Sequence, residues 1–168
     1  MIKFGTISTA NITPRALINP CLDEPKAQVM SIAARSKARA EEFARWHGIS
    51  RAYDSYEEVI ADDETNAFYN PLPISMHKEW TIKALRAGKH VLCEKSFASN
   101  ALEAREMEAA GAETGLVLMD AFHYRYHPVF IRAKEIMESG EIGKVERINA
   151  AFHVPVSDPD NIRMNYSL

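Results

Sequence analysis

Short apolar runs alternate with longer amphipathic stretches over the first 120 or so residues. The short runs are rich in β-branched and aromatic residues, which favours strands, and they fall at 2–8, 28–34, 67–70, 90–94 and 115–122. The longer stretches carry helix start and stop signals, and they predict helices at 12–22, 36–48, 55–62, 77–88 and from Asn100 onward. The strands show no clean two-residue alternation, as is typical of strands covered on both faces. The pattern predicts an α/β fold, a doubly wound parallel sheet with helices on both sides.

The pattern changes beyond residue 122. A loop leads to a helix that begins near Pro128, and a longer strand is predicted at 144–155 before a polar stretch reaches Leu168. A single strand leaves its edges unpaired, so we expect further strands to belong beside it. We therefore predict two domains, with 1–121 as the first and 122–168 as the beginning of a second α/β domain.

Composition narrows the class of protein. A net charge of −3 argues against a nucleic-acid-binding surface, and 46% hydrophobic residues suffice for a core. The sequence lacks an apolar run of about 18 residues, so we expect no contact with a membrane. The start of the chain lacks the features of a signal peptide. Cys21 and Cys93 lie far apart in apolar surroundings, which indicates free thiols in a reducing compartment. We expect a cytoplasmic protein that acts on a small molecule.

The turn after the first strand is the first place to look for a ligand, because a doubly wound sheet binds ligands beyond the carboxyl ends of its strands. Ser8, Ala10 and Thr13 stand where a dinucleotide-binding fingerprint has three glycines. All three residues are small, but none is glycine. A phosphate-binding turn and a plain tight turn are equally good interpretations of this stretch.

The end of the second strand distinguishes the two nicotinamide cofactors. NAD-binding domains usually have an acid there to hold the ribose hydroxyls, whereas this strand ends in "AARSK". Arg35, Ser36 and Lys37 have the chemistry to bind a 2′-phosphate. The alternative is that Ser36 only caps the next helix and the cations are solvated. The pattern favours NADP, with NAD as the second choice.

The stretch "HVLCEKS" ends a strand on an acid and a base, Glu94 and Lys95. A partly desolvated lysine in a cofactor cleft can exchange a proton with a substrate hydroxyl while hydride moves at the neighbouring carbon. Glu94 alternates to the other side of the strand and is interpreted as a positioning partner or a cofactor contact. An ordinary surface ion pair at a turn is the alternative. No metal site is predicted.

The chain resembles the Gfo/Idh/MocA oxidoreductases over essentially its whole length, and four stretches carry the resemblance. They are "KFGTISTANI", "FYNPLPISMHKEWTIKALRAGKHVLCEKS", "DAFHYRYHPVF" and "SGEIGKVERINAAF". The resemblance implies an N-terminal Rossmann domain that binds NAD or NADP. It also implies a C-terminal α/β domain whose sheet forms the substrate pocket and the subunit interface. A homo-oligomer is therefore expected at full length.

The resemblance also implies roles for individual residues. Lys95 would be the catalytic proton carrier in hydride transfer between the nicotinamide and a carbon of a sugar or cyclic diol. The implied cofactor contacts are Ser8, Thr9, Ala10, Asn11 and Ile12 at the pyrophosphate, Arg35 and Ser36 at the adenosine, Leu72, Pro73 and His77 near the nicotinamide, and Glu94, Arg125 and Arg163.

Two departures from the family pattern are visible. Ser96 replaces the proline of the family's Glu-Lys-Pro motif, which loosens the backbone after Lys95. Members of the family are roughly twice this length, so the chain is expected to be an N-terminal fragment. A non-catalytic NAD(P)-binding sensor or pseudoenzyme is the alternative function.

Overall fold

A single parallel sheet organises the first 121 residues. The structure, a computed structural model, describes residues 1–153 and 155. Its six strands lie in the order β3-β2-β1-β4-β5-β6, and every neighbouring pair is parallel. They are β1 (Ile2–Ile7), β2 (Ala27–Ala33), β3 (Arg51–Tyr53), β4 (Ala67–Asn70), β5 (His90–Cys93) and β6 (Leu118–Asp120). The predicted doubly wound, Rossmann-type fold is confirmed.

Helices cover both faces of this sheet. They are α1 (Asn19–Asp23), α2 (Lys37–His47), α3 (Tyr56–Ala61), α4 (His77–Arg86) and α5 (Ala101–Thr114), with a π-helical turn at Pro14–Ile18 before α1. Successive residues of β4 belong to different cores: Phe68 packs with α3, α4 and α5, whereas Tyr69 packs with α2. This alternation is what a strand buried on both faces requires.

Within the first 121 residues, three differences from the sequence-based prediction go beyond a shift of one or two residues at the end of an element. The helix predicted at 12–22 is divided into the π-helical turn and α1, and prolines at positions 14 and 20 stand at the start of each piece. The last strand of the sheet is confined to Leu118–Asp120, shorter than the predicted 115–122. The strand β3 was missed because three residues carry too little periodic signal.

The two aromatic residues of α2 are not its main contacts with the sheet, since Trp46 is 74% exposed and Phe43 is half-buried. The helix packs on the sheet through Ala40 and Ala44, four residues apart, and Trp46 lies away from that stripe. Trp80 on α4 belongs to the core.

The chain divides into two compact units between Ala121 and Phe122. In the second unit a short 3₁₀ turn at His123–Tyr126 precedes α6 (Pro128–Ser139), which begins at the predicted proline. The strand predicted at 144–155 is wrong for residues 144–153 and 155, which have no regular secondary structure. A strand needs a neighbour for its backbone hydrogen bonds, and the described residues offer it none. Among those residues, the helices are all too short or too polar to cross a membrane.

Candidate functional site

The turn after β1 has the backbone geometry of a glycine turn without the glycine. Ser8 has a φ of 70°, in the left-handed region that glycine adopts most easily. Its N–H donates to the carbonyl oxygen of Ala33 at 2.7 Å, which joins the ends of β1 and β2. Asn11 and Ile12 are exposed beyond it, whereas Thr13, at the third glycine place, is completely buried. The exposed part of the turn fits a phosphate contact, and Thr13 fits a packing position.

Two arginines stand at the end of β2. Arg35 is exposed directly after the strand, and Arg39, one helical turn further on, donates from Nη2 to Thr9 Oγ1 at 3.2 Å. Lys37 instead pairs with Asp54 at 3.5 Å. Within residues 1–153 and 155, neither arginine forms an ion pair with a carboxylate. Both guanidinium groups are therefore available to an anion beside the first turn. Arg39 was missed from the sequence, although its place one turn beyond Arg35 was a usable signal.

Ser36 occupies the N-cap position of α2, but its hydroxyl makes no capping hydrogen bond. The interpretation of this side chain as a helix cap is therefore wrong. The hydroxyl is exposed beside Arg35, and it fits the same anion-binding role.

The segment that follows β4 forms one wall of the candidate site, and hydrogen bonds of Asn70 hold it in place. Leu72 is buried and Pro73 is half-buried. Asn70, fully buried, accepts from the N–H of Leu72 at 3.3 Å and donates to Thr81 Oγ1 and to the carbonyl oxygen of His77, both at 3.2 Å. Asn70 thus connects the wall to the first turns of α4, a role that the sequence alone did not indicate.

His77 connects the wall to the segment that follows β5. Its Nε2 lies 2.7 Å from the carbonyl oxygen of Leu72, and its Nδ1 lies 2.9 Å from that of Ser96 and 3.3 Å from that of Phe97. The residue is 1% exposed. Its observed partners are thus protein carbonyls, and its predicted contact with the cofactor stays a prediction.

Glu94 is buried at the end of β5 and belongs to the scaffold. Its Oε1 accepts from the hydroxyl of Tyr69 at 2.8 Å, and its Oε2 accepts from the N–H of Lys95 at 3.2 Å. Burial, and then the hydrogen bond to Glu94, raise the pKa of Tyr69 far above its ordinary value, so its hydroxyl remains a donor. The observed bonds fit the predicted positioning role, and a direct cofactor contact stays a prediction.

Lys95 itself is exposed at the carboxyl edge of the sheet. Its ammonium pairs with no carboxylate in the part of the chain that the structure describes. Glu94 turns inward to Tyr69 instead, so the alternative of a surface ion pair between Glu94 and Lys95 is wrong. The peptide bond between Lys95 and Ser96 is cis.

Two more ionisable groups lie at the ends of neighbouring strands. Burial raises the pKa of the Cys93 thiol to about 12, so it is protonated at neutral pH. Asp120 pairs with Cys93 in the register of β5 and β6. Burial and the nearby Glu94 raise the pKa of Asp120, and the nearby His77 opposes them. Asp120 is the last residue of β6, and sequence reasoning assigned it no individual role.

The remaining predicted contacts lie in the second part of the chain. Arg125 is exposed in the 3₁₀ turn of the second unit. Arg163 lies outside the described residues.

A comparison with protein-family models shows to which family the chain belongs. Residues 2–122 match the model of the oxidoreductase family with an NAD-binding Rossmann fold, designated GFO_IDH_MocA. The chain belongs to the Gfo/Idh/MocA family. The resemblance stated from the sequence is therefore confirmed.

Several curated members of the Gfo/Idh/MocA family are similar to the chain over almost its whole length. D-xylose 1-dehydrogenase (NADP(+)) 2 of Haloferax volcanii is 38% identical over 168 residues, which cover 99% of the chain and 51% of the relative. The scyllo-inositol 2-dehydrogenase (NADP(+)) IolU of Bacillus subtilis is 38% identical over 152 residues, which cover 90% of the chain and 45% of the relative. The chain thus spans about half the length of the curated relatives it matches.

A solved structure of the Gfo/Idh/MocA family shares the fold. KijD10, a 3-ketoreductase from Actinomadura kijaniata in complex with NADP and TDP-benzene, superposes with a TM-score of 0.76 at 34% identity. The match covers 83% of this chain and 42% of KijD10.

Proposed function

We propose that the chain is the cofactor domain, with the beginning of the substrate domain, of an NADP-preferring oxidoreductase. The proposed reaction moves a hydride between the nicotinamide and a carbon of a sugar or cyclic diol. The observation that carries this proposal is the arrangement of cations along one edge of the sheet. Within the described part of the chain, Arg35 and Arg39 form no ion pair with an acid near the end of β2, and Lys95 lies exposed after β5. In a doubly wound sheet this edge is where a dinucleotide lies.

The preference for NADP is supported by charge at the adenosine end. An acid after β2 would bind the ribose hydroxyls of NAD and repel a 2′-phosphate, and the chain has Arg35 and Ser36 there instead. Guanidinium groups offer a fork of N–H donors that matches phosphate oxygens. Arg39 would bind the same phosphate from the first turn of α2, while its contact with Thr9 keeps it close to the pyrophosphate-binding turn.

Lys95 is proposed as the proton carrier. Its backbone is fixed at Glu94, which Tyr69 holds in the scaffold, so the side chain projects from a defined point into the open edge. The bound nicotinamide would supply or accept the hydride. As an alcohol carbon loses its hydride, the Lys95 amine takes the proton from the hydroxyl oxygen, and in the opposite direction the ammonium returns it. Leu72 and Pro73 would form the wall that excludes water from the nicotinamide.

The relatives support the class of substrate. Two of them are named as NADP-dependent dehydrogenases of xylose and inositol, and KijD10 is named as a ketoreductase that binds NADP. By analogy we assign 1–121 to the cofactor domain and 122–168 to the start of a substrate domain that also forms a homo-oligomer. Both cysteines are free, which is consistent with the cytoplasm.

Binding of the two cofactors tests the proposal directly. Calorimetric titration of the chain is expected to give tighter binding of NADPH than of NADH. Arg35→Ala and Arg39→Ala should each weaken NADPH binding by about 10- to 100-fold, because each removes a charge-assisted bond, and should change NADH binding little. Arg45→Ala, an exposed arginine further along α2, serves as the matched control. Equal affinities for the two cofactors, unchanged in the arginine variants, would refute the NADP assignment.

Catalytic turnover distinguishes the proposed oxidoreductase from the alternative, a non-catalytic NAD(P)-binding sensor. The complete protein is expected to reduce NADP⁺ in the presence of sugars or diols, and Lys95→Met should lower kcat by about 100-fold or more while NADPH binding is retained. NADPH binding without any turnover across such a panel would favour the non-catalytic sensor.

A further inference from the structure

The loop that follows β3 lies beside the cations that follow β2. Ala33 and Tyr53 are partners in the parallel register of these two strands, so the residues that come next emerge at the same edge of the sheet. Asp54 follows Tyr53 directly, and Arg35 stands two residues beyond Ala33. Burial raises the pKa of Tyr56, at the start of α3, and the Arg35 guanidinium opposes that rise, so the charge of Arg35 reaches this loop. A carboxylate on the loop therefore lies within electrostatic range of the proposed 2′-phosphate site.

Two carboxylates belong to this loop and the helix it enters. Glu58 Oε2 accepts from the N–H groups of Asp54 and Ser55, both at 2.9 Å, and completes the capping box of α3. The bonds from Ser55 and from Asp54 lower the pKa of Glu58, and the nearby Lys37 lowers it further. The bond from its own N–H also fixes the backbone of Asp54. Without a cation beside them, these two negative charges would repel a 2′-phosphate.

Lys37, the first residue of α2, faces these carboxylates. Its Nζ lies 3.5 Å from Asp54 Oδ2, and its charge also acts on Glu58. Its ammonium, a candidate phosphate ligand by residue type, is thus directed at an acid. Arg39, on the same helix, instead donates to Thr9 in the first turn. The cations that follow β2 have different partners, which indicates different tasks.

We propose that Lys37 and Asp54 form a specificity-determining pair, in which Lys37 neutralises the acidic loop so that the 2′-phosphate of NADP is tolerated beside it. Lys37 then favours NADP without binding the phosphate itself, a task that belongs to Arg35, Ser36 and Arg39. The inference deepens the proposed function and rests on it, because it concerns the same adenosine end of the site.

The pair makes the cofactor preference depend on a balance of charges. With both residues present, their effects on the phosphate largely cancel. Loss of Lys37 leaves Asp54 to repel the phosphate, and loss of Asp54 leaves the ammonium free to attract it. Both side chains are more than half exposed, so water and salt limit each effect to a few-fold change in affinity. NADH has no 2′-phosphate, so its binding should be nearly indifferent to the pair.

A double-mutant cycle on NADPH affinity distinguishes this indirect role from a direct contact. In calorimetric titrations at low ionic strength, Lys37→Met should weaken NADPH binding by about 5-fold and Asp54→Asn should strengthen it by about 3-fold. The combined variant should return to within about 2-fold of the unmodified chain, because the carboxylate that Lys37 neutralised is gone. These differences should shrink in about 0.5 M salt, and NADH affinity should change by less than about 2-fold throughout.

Lys3 and Glu64 provide the matched control, a solvent-accessible ion pair of 3.6 Å at the opposite, amino-terminal edge of the sheet. Lys3→Met and Glu64→Gln should leave NADPH affinity unchanged. A combined Lys37→Met and Asp54→Asn variant as weak as Lys37→Met alone would overturn the proposal in favour of a direct phosphate contact.

The failure of this proposal can be told apart from the failure of the proposed function. A preference for NADPH that Arg35→Ala removes and Lys37→Met leaves intact would overturn the role of the pair alone. The lack of any preference for NADPH in the unmodified chain would refute both the NADP assignment and this proposal.

Discussion

The hydroxyl of Tyr69 donates to the carboxylate of Glu94 at 2.8 Å, and both residues are almost inaccessible to water. Tyr69 lies on β4 and Glu94 follows β5, so the bond connects neighbouring strands at the edge where the cofactor is proposed to lie. Glu94 therefore stabilises the packing of neighbouring strands, whereas the adjacent Lys95 is exposed. Adjacent residues of opposite charge thus perform separate tasks at the end of one strand.

Removal of the Tyr69 hydroxyl should destabilise the chain. Tyr69→Phe leaves Glu94 Oε1 buried without its donor, so we expect a loss of about 2 kcal/mol in the free energy of unfolding, measured by urea denaturation. Tyr56→Phe is the control, because Tyr56 packs edge-on against Trp80 through its ring. An equal loss in both variants would mean that the bond to Glu94 contributes nothing specific.

Low pH should destabilise the fold because it protonates the carboxylate of Asp62. Burial alone would raise the pKa of its carboxyl, but hydrogen bonds from the Glu64 N–H and the Arg51 guanidinium outweigh it and lower the pKa. Because the folded-state pKa lies below the unfolded value, this contribution is present at neutral pH and is lost as pH falls through the folded-state pKa. Asp62→Asn should cost about 2 kcal/mol at neutral pH and flatten the acid dependence. Urea denaturation at a series of pH values checks this, and an unchanged slope in the variant contradicts it.

The backbone at Ser8 should be easier to form with glycine. At a φ of 70° a serine side chain is strained, whereas glycine adopts this region freely. Ser8→Gly is expected to stabilise the chain by about 1 kcal/mol and to retain NADPH binding, measured by thermal unfolding and calorimetry. Ser99→Gly, at an exposed position without positive φ, should be neutral or destabilising. Destabilisation by Ser8→Gly would show that the serine side chain contributes more than its strain costs.

The sequence predicted the sheet because its signals are local. Apolar runs such as 28–34 and helix caps such as Ser55 with Glu58 act within a few residues, and the structure has that capping box at the start of α3. Periodicity failed where an element was too short, as at β3, or lacked a partner, as at 144–153. Strand ends were located well enough to find Glu94 and Lys95.

The interior of the candidate site was less accessible to sequence reasoning. Tyr69 and Glu94 are 25 residues apart and meet only because β4 and β5 are neighbours in the sheet. The same holds for the contact between Arg39 and Thr9, which connects two different strand–helix turns. Residue type and spacing along the chain do not encode such pairings. They require the strand order, which the pattern of apolar residues leaves open.

The thiol of Cys93 should be unreactive while the chain is folded. The residue is completely buried, and burial raises the pKa of its thiol from 9.0 to about 12, which lowers the thiolate fraction roughly a thousandfold. Cys21 is only half-buried, so it should react with iodoacetamide first. Mass spectrometry of the labelled chain is expected to show modification of Cys21 alone under native conditions and of both cysteines in urea. Because Cys93 directly precedes Glu94, its labelling rate would also report how often the end of β5 opens. Comparable labelling of the two thiols in the native chain would mean that this end of the sheet opens far more readily than its burial implies.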